Sequence, residues 1–333
     1  MSTGSFDGVS VVIPVLNEAP YLNEAVSRVL EQKVDVDLEV ILALGPSIDN
    51  TNEVAAQLAQ RDSRVKLVQS KTGKTAAGLN IAVRASKYQV IVRVDGHCEL
   101  SPNYISTALE TLVRTNADVV GGVMAATGIT NFEKAVACAM RSTLGVGPAA
   151  FHVGGSEGEA LTVYLGVFRR ETLDDANGYD ETFIRAQDWE LNHRIRKSGG
   201  KIWFNPNLEV SYRPRSSLTA LARQYFEYGR WRREVSRTYP ETNSVRYLAP
   251  PLTFSALILS GLISIYSAIS AASLFPISAL PIAGYAGLVV IGGFVVSRKQ
   301  SMKVKFYLPI VLTTMHLTWG FGFITSPKHL RSR

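Results

Sequence analysis

Two acidic groups in fixed order carry the chemistry of this chain: Val94-Asp95-Gly96-His97 at the end of an apolar run, and Gln187-Asp188-Trp189-Glu190 further on. A carboxylate and an imidazole two residues apart can point the same way from a strand end, so Asp95 and His97 can share a divalent ion. Carboxylate and diphosphate oxygens suit Mg2+, and the imidazole shifts the preference towards Mn2+. A strand-terminal Asp also commonly makes an Asx-turn, so the pattern alone leaves both roles open. Asp188 reads as the first turn of a helix whose apolar side is Leu191 and Ile195. A carboxylate there is stabilised by the helix dipole. It can also take a proton from an acceptor hydroxyl, general-base work in which position comes before basicity.

The supporting candidates are fewer in their options. Ile13-Pro14-Val15-Leu16-Asn17-Glu18 closes the first strand with a proline, which suits a strand end. Asn17 and Glu18 can cap the next helix, and Glu18 can also accept hydrogen bonds from a ribose. Lys71-Thr72-Gly73-Lys74-Thr75 sets lysines at a helix start, where anions are favoured, without the glycine spacing of a nucleotide-hydrolase phosphate loop. Lys74 is a diphosphate contact or part of a solvated face. Gln224-Tyr225-Phe226-Glu227-Tyr228-Gly229-Arg230-Trp231, followed by Arg232, Arg233 and Arg237, is dense in aromatic and basic groups. It can snorkel into a headgroup layer while Arg230 meets a departing diphosphate.

These residues need elements to position them. Val9 to Val15 reads as a buried strand, and Leu22, Ala25, Val26, Val29 and Leu30 recur at helical spacing behind it. Leu38 to Leu44 predicts a second strand, Asn50 to Gln60 a helix, Val65 to Gln69 a strand and Thr75 to Ala85 a helix. Tyr88 to Val94 is the strand that delivers Asp95. Strands alternating with helices imply a largely parallel, doubly wound sheet, which binds ligands at the carboxyl ends of its strands. Pro102 to Arg114 predicts a helix and Asp118 to Met124 a strand. The glycine-rich Gly145 to Glu159 reads as a long loop of the kind that serves as a substrate lid.

Composition separates two solvents. The chain has 333 residues with an apolar fraction of 46% and a formal net charge of +7. From Tyr247 to Ser297 there is no Asp, Glu, Lys or Arg, and the acidic residues lie before Arg246. The expected division is therefore residues 1–246 as a soluble α/β domain and 247–333 as a membrane segment. Leu248 to Ser270 and Leu274 to Val296 are each long enough to cross a bilayer, with Phe306 to Thr325 a third candidate. Arg298, Lys299, Lys303 and Lys305 place the link before the third segment in the cytoplasm with the first domain. A third full crossing would put Lys328, Arg331 and Arg333 outside, while Pro309, Gly320 and Gly322 permit a re-entrant or interfacial segment instead. The polar Met1 to Gly8 reads as no secretory signal, and Cys98 and Cys138 as reduced thiols. The cations cluster beside the apolar segment, which favours a membrane partner over nucleic acid.

Taken together, Pro14-Val15-Leu16-Asn17-Glu18, Asp49, Lys74, Asp95-Gly96-His97, Gln187-Asp188 and Gln224 to Trp231 resemble the family 2 glycosyltransferases. More narrowly they resemble the succinoglycan-biosynthesis type of membrane-associated glucosyltransferase, as do Gly178-Tyr179-Asp180-Glu181, Tyr212-Arg213-Pro214-Arg215 and Met315 to Gly320. The resemblance implies a GT-A fold, a Rossmann-like mixed sheet with flanking helices, followed here by a C-terminal transmembrane helical segment. It implies an inverting mechanism, a UDP-sugar donor, a divalent cation and a lipid-linked saccharide acceptor at the membrane. Carried over by position, Pro14, Asn17, Glu18 and Asp49 lie along the nucleoside, Lys74, Asp95 and His97 at the diphosphate and metal, and Gln224, Arg230 and Trp231 beside them. Asp188 is the base. Leu44-Gly45-Pro46-Ser47-Ile48-Asp49 offers no carboxylate before Asp49, so the base, uracil or guanine, stays open. Two other functions remain to be separated from this one: loading a sugar onto polyprenyl phosphate, and a catalytically inactive nucleotide-sugar sensor or scaffold.

Overall fold

The computed structural model describes residues 6–270 and 275–331. Leu274, Arg333 and the first five residues, on which some of the expectations above fall, lie outside the described residues. The chain forms two compact units, one running to Ala125 and again from Ala149 to Tyr212, the other made of Ala126–Pro148 and the chain from Arg213 onward.

The first unit begins with β1 (Gly8–Val15), α1 (Leu22–Leu30), β2 (Asp37–Leu44), α2 (Thr51–Arg61), β3 (Val65–Gln69), α3 (Thr75–Ala85) and β4 (Val90–Arg93). β1 is central and parallel to β2 and β4, and β2 is parallel to β3. Alternation sorts its side chains: Val9, Val11, Ile13 and Val15 enter one core with α1 and α2, and Val12 enters the other with Leu79 of α3. α1 buries Leu22, Ala25, Val26 and Val29, an amphipathic stripe of helical period.

Beyond Asp95 come β5 (Glu99–Leu100), α4 (Tyr104–Thr115) and β6 (Val119–Ala126). The second unit's α5 (Asn131–Met140) and one-turn α6 (Thr143–Val146) follow. The chain then returns through α7 (Ala150–Val153), β7 (Gly158–Glu159), β8 (Tyr164–Arg169), α8 (Arg170–Asp175), α9 (Gln187–Lys197) and β9 (Ile202–Tyr212). The sheet order is β3-β2-β1-β4-β8-β6-β9-β5, with β7 beside β9. β8 lies antiparallel between β4 and β6, and β5 and β7 are antiparallel to β9. The sheet is therefore mixed. The expected lid at 145–159 is partly ordered structure: α7 gives a turn of helix, Gly154 and Gly155 adopt positive φ, and Gly158 pairs with Phe204.

The second unit holds α10 (Leu218–Thr238), a 3-10 turn at Pro240–Thr242, α11 (Val245–Ile269), α12 (Phe275–Val296) and α13 (Met302–Ile324). Among the described residues, three helices are long and apolar enough to cross a membrane, with mean hydropathies of 1.9, 2.1 and 1.2. α13 is one unbroken helix despite Pro309. Charge-rich α10 packs along α13, so the compact units divide at Tyr212 whereas composition changes near residue 246. Two glycines allow that approach. A Cβ at Gly229 would lie 2.0 Å from the Trp319 carbonyl oxygen, and one at Gly322 would lie 2.1 Å from that of Phe226. Buried Glu133 anchors α5, accepting from the Ile129 and Thr130 amides at 2.9 Å and from Arg213 at 3.1 Å.

Gly229→Ala sets propensity against packing. Alanine gains roughly 1 kcal/mol in a helix interior, but backbone overlap costs about 3 kcal/mol. The thermal midpoint of the detergent-solubilised chain should therefore fall; a rise would mean that α10 and α13 are not held together at this point.

Candidate active site

The site is built from strand ends and helix starts on one side of the sheet of the first unit. Ile91 of β4 faces the core of α3 and α9, and with a period of two, Arg93 and Asp95 share its face. Arg93 is paired in register with Val12 and is 3% exposed. Its Nη2 donates to Asp95 Oδ1 at 3.0 Å, and its Nη1 meets Asp188 Oδ1. Burial opposes the guanidinium's charge, but the Asp95 carboxylate together with the neighbouring Tyr179 and Tyr164 raises the arginine pKa overall. The two acidic signposts of the sequence thus converge on one buried cation. Sequence reasoning missed Arg93; its signal was a lone arginine inside the β-branched run Tyr88 to Val94.

Asp188 lies in the first turn of α9 as expected, 30% exposed. Ala186, the residue before the helix, has φ +61°, an uncommon conformation for a residue with a Cβ. The helix is held by Glu190, whose carboxylate takes Arg194 Nε at 2.7 Å and Nη2 at 2.8 Å. Arg194 also donates to the carbonyls of Ala176 and Gly178. Asn80 of α3 holds the same loop, accepting from the Tyr179 amide at 2.8 Å and donating to the Tyr179 carbonyl at 2.9 Å. Gly178, with φ +67°, is required because a Cβ there would lie 2.5 Å from Asn80 Oδ1.

Past Asp95 the chain turns, the Cys98 amide donating to the Asp95 carbonyl at 3.0 Å. Asp95, His97 and Cys98 each offer a ligand atom within 4.8 Å of the others. Burial pushes the Cys98 thiol well above its ordinary pKa and its sulfur lies 3.3 Å from the Tyr164 hydroxyl, so the donor set available to a cation is carboxylate and imidazole. That set fits Mg2+ or Mn2+ bound together with diphosphate oxygens.

A cavity of about 190 Å3 opens at the ends of β1, β2 and β3, lined by Pro14, Leu16, Glu18, Gly45, Gly73 and Lys74 among others. Lys74 is the residue before α3, and Gly73 turns the chain there with φ +63°. Asn17 and Asp49 are engaged locally. The Ile48 amide donates to Asn17 Oδ1 at 2.8 Å, and the Thr51 and Ala19 amides donate to Asp49 at 3.1 and 3.4 Å. The Thr51 hydroxyl holds the Asp49 carboxyl below its ordinary range. These bonds staple the loop after β1 to the start of α2. In the second unit, Gln224 Nε2 donates to the Tyr228 hydroxyl at 2.9 Å, Arg230 pairs with Glu227 at 2.8 Å and Trp231 is buried.

The profile of glycosyl transferase family 2 matches residues 10–174, the span from β1 through α8. The chain is a glycosyltransferase with a family 2 domain. Succinoglycan biosynthesis protein ExoA of Rhizobium meliloti (strain 1021) is 28% identical to the transferase over 94% of this chain and 93% of its own. A dolichyl N-acetyl-alpha-D-glucosaminyl phosphate glucuronosyltransferase of Methanococcus voltae is 24% identical over 66% of this chain and 71% of its own. Among solved structures, a mannosyltransferase from Pyrobaculum calidifontis in complex with GDP-Man and Mn2+ superposes with a TM-score of 0.57 at 17% identity, covering 92% of the transferase and 85% of that chain. The first unit is thus a GT-A type domain, and the relative that matches along nearly its full length is named for succinoglycan biosynthesis.

Removing Arg93 should be costly because it leaves two carboxylates facing each other. Arg93→Met is expected to lose about 3–5 kcal/mol of stability, and Arg93→Lys, which keeps the charge but not the two-armed geometry, an intermediate amount. Thermal unfolding of the three proteins checks the order; a methionine variant as stable as the parent would mean that the pairing does not organise the site.

Proposed function

We propose that this transferase moves a hexose, with inversion, from a nucleotide-sugar such as UDP-glucose to a polyprenyl-diphosphate-linked saccharide at the cytoplasmic face of the membrane, for an exopolysaccharide or cell-envelope glycan. The observation that carries the reading is the convergence of Asp95 and Asp188 on Arg93, at the same sheet ends as the cavity lined by Glu18 and Lys74. In this reading residues 1–246 are the cytoplasmic catalytic part and 247–333 the membrane segment. The full-length similarity to a succinoglycan biosynthesis protein favours the polysaccharide assignment. The lipid-linked sugar named as acceptor for the Methanococcus voltae relative favours a saccharide on a lipid over bare lipid phosphate. Three apolar helices and the basic link Arg298 to Lys305 favour a membrane location with that link inside.

The chemistry assigned to the residues balances simply. Asp188 accepts the proton of an acceptor hydroxyl, whose oxygen bonds to the anomeric carbon from the face opposite the nucleotide. The bond from that carbon to the diphosphate oxygen breaks, and the nucleoside diphosphate leaves with the electron pair. A divalent cation at Asp95 and His97 supplies Lewis-acid stabilisation of the diphosphate charge. Arg93, paired with its Oδ1, aims Asp188. Lys74 adds a positive charge beside the diphosphate, and Asp49 holds the loop that borders the nucleoside. Gln224, Arg230 and Trp231 are assigned to the diphosphate and acceptor side.

The reading is tested at the base. Asp188→Asn should bind the donor as the parent does but lose turnover by about 10²–10⁴-fold, measured as nucleotide release against donor affinity. Loss of donor affinity with turnover per bound donor intact would give Asp188 a binding role instead.

A further inference from the structure

The loop after β1 brings a second acid to the turn that follows Asp95. The Glu18 backbone is fixed on both sides, its amide donating to Thr51 Oγ1 at 2.8 Å and its carbonyl accepting from the Leu22 amide at 2.9 Å. Its side chain, 17% exposed, crosses to the metal turn, where Oε1 lies 2.8 Å from His97 Nδ1. Gly96 makes room for it, because a Cβ at that position would lie 3.0 Å from Glu18 Cγ. An ionised carboxylate only accepts, so Nδ1 is the donor of this contact, and whenever the ring is neutral its lone pair is then on Nε2.

We propose that Glu18 is a positioning residue for the cation: by accepting the Nδ1 proton of His97 it fixes the tautomer and ring orientation that present Nε2 as a ligand beside the Asp95 carboxylate. This rests on the proposed metal-assisted transfer for the presence of the cation. It differs from the expectation that Glu18 lies along the nucleoside. A histidine that ligates a metal is oriented through its other ring nitrogen, commonly by a carboxylate. Glu18 lines the nucleoside-sized cavity as well, so the two roles must be separated by what each requires. Contact with a ribose is indifferent to the residue at 97. Orienting an imidazole is not.

The test uses the full chain in detergent, with Mn2+ as the probe read by the paramagnetic resonance of the free ion, in the presence of UDP or GDP, and with nucleotide affinity measured separately in chelator. Glu18→Ala should weaken Mn2+ binding about 10–100-fold, and Glu18→Gln, whose amide oxygen still accepts, should weaken it less. Nucleotide affinity in chelator should not move. In a His97→Asp background, Glu18→Ala should cause no loss of Mn2+ affinity. An equal loss in both backgrounds, or a loss of nucleotide affinity in chelator, would overturn the proposal in favour of a nucleoside or purely structural role. Intact Mn2+ binding that Glu18→Ala leaves unchanged would overturn it while sparing the transferase reading. Parent protein that holds Mn2+ no better than Asp95→Ala would overturn the cation reading itself and this inference with it.

Discussion

A buried guanidinium shared by two carboxylates makes one site out of parts that are far apart in sequence. Taking an arginine out of water costs several kcal/mol, and only opposite charge with good hydrogen-bond geometry offsets that. Arg93 finds a hydrogen-bonded carboxylate in Asp95, two residues along its own strand, and a second opposite charge against its Nη1 in Asp188, at the mouth of α9. The strand end and the helix start are thereby tied at the place where an α/β sheet binds ligands. Everything around the pair limits the helix's freedom: Glu190 and Arg194 lock α9 to the loop after α8, and Asn80 locks that loop to α3. The base role proposed for Asp188 calls for such support, because small displacements from a reacting hydroxyl cost large factors in rate.

The second unit obeys a different constraint, close approach of backbones. Gly229 and Gly322 let α10 and α13 come together at carbonyl distance, and Gly320 does the same for α11, where a Cβ would lie 2.5 Å from the Pro250 carbonyl oxygen. Serines add polar contacts among the apolar helices: Ser264 Oγ lies 2.8 Å from Ser278 Oγ. Close backbone approach at small residues and side-chain hydrogen bonds of this kind are devices that also join helices in a bilayer. The Gly229 of the aromatic and basic stretch is therefore explained by packing, whatever Arg230 contacts.

Much of this was legible in the sequence because it is local. β3 and α3 begin and end where periodicity places them, the strand before Asp95 and the helix start at Asp188 are where the motifs put them, and each apolar run after Arg246 became a helix. What periodicity does not encode is order in the sheet. Antiparallel β8 comes between β4 and β6 although many residues separate it from either, and nothing in its own six residues announces that neighbourhood. Partners across the chain were equally hidden. Arg93 looked like one residue of a strand, and spacing alone could not connect Asn17 and Asp49 to each other's loops or Glu18 to His97.

The central claim is that a cation-held donor and a base meet at this one site and transfer a sugar. Its most direct test is nucleotide release by the detergent-solubilised full chain from a panel of UDP- and GDP-sugars, with a lipid-extract acceptor, in Mn2+ or Mg2+ and in chelator. The account predicts that one donor is consumed with the metal and none in chelator. Nucleotide binding without consumption of any donor, under conditions that keep the chain folded, would contradict it and point to a sensor or scaffold instead.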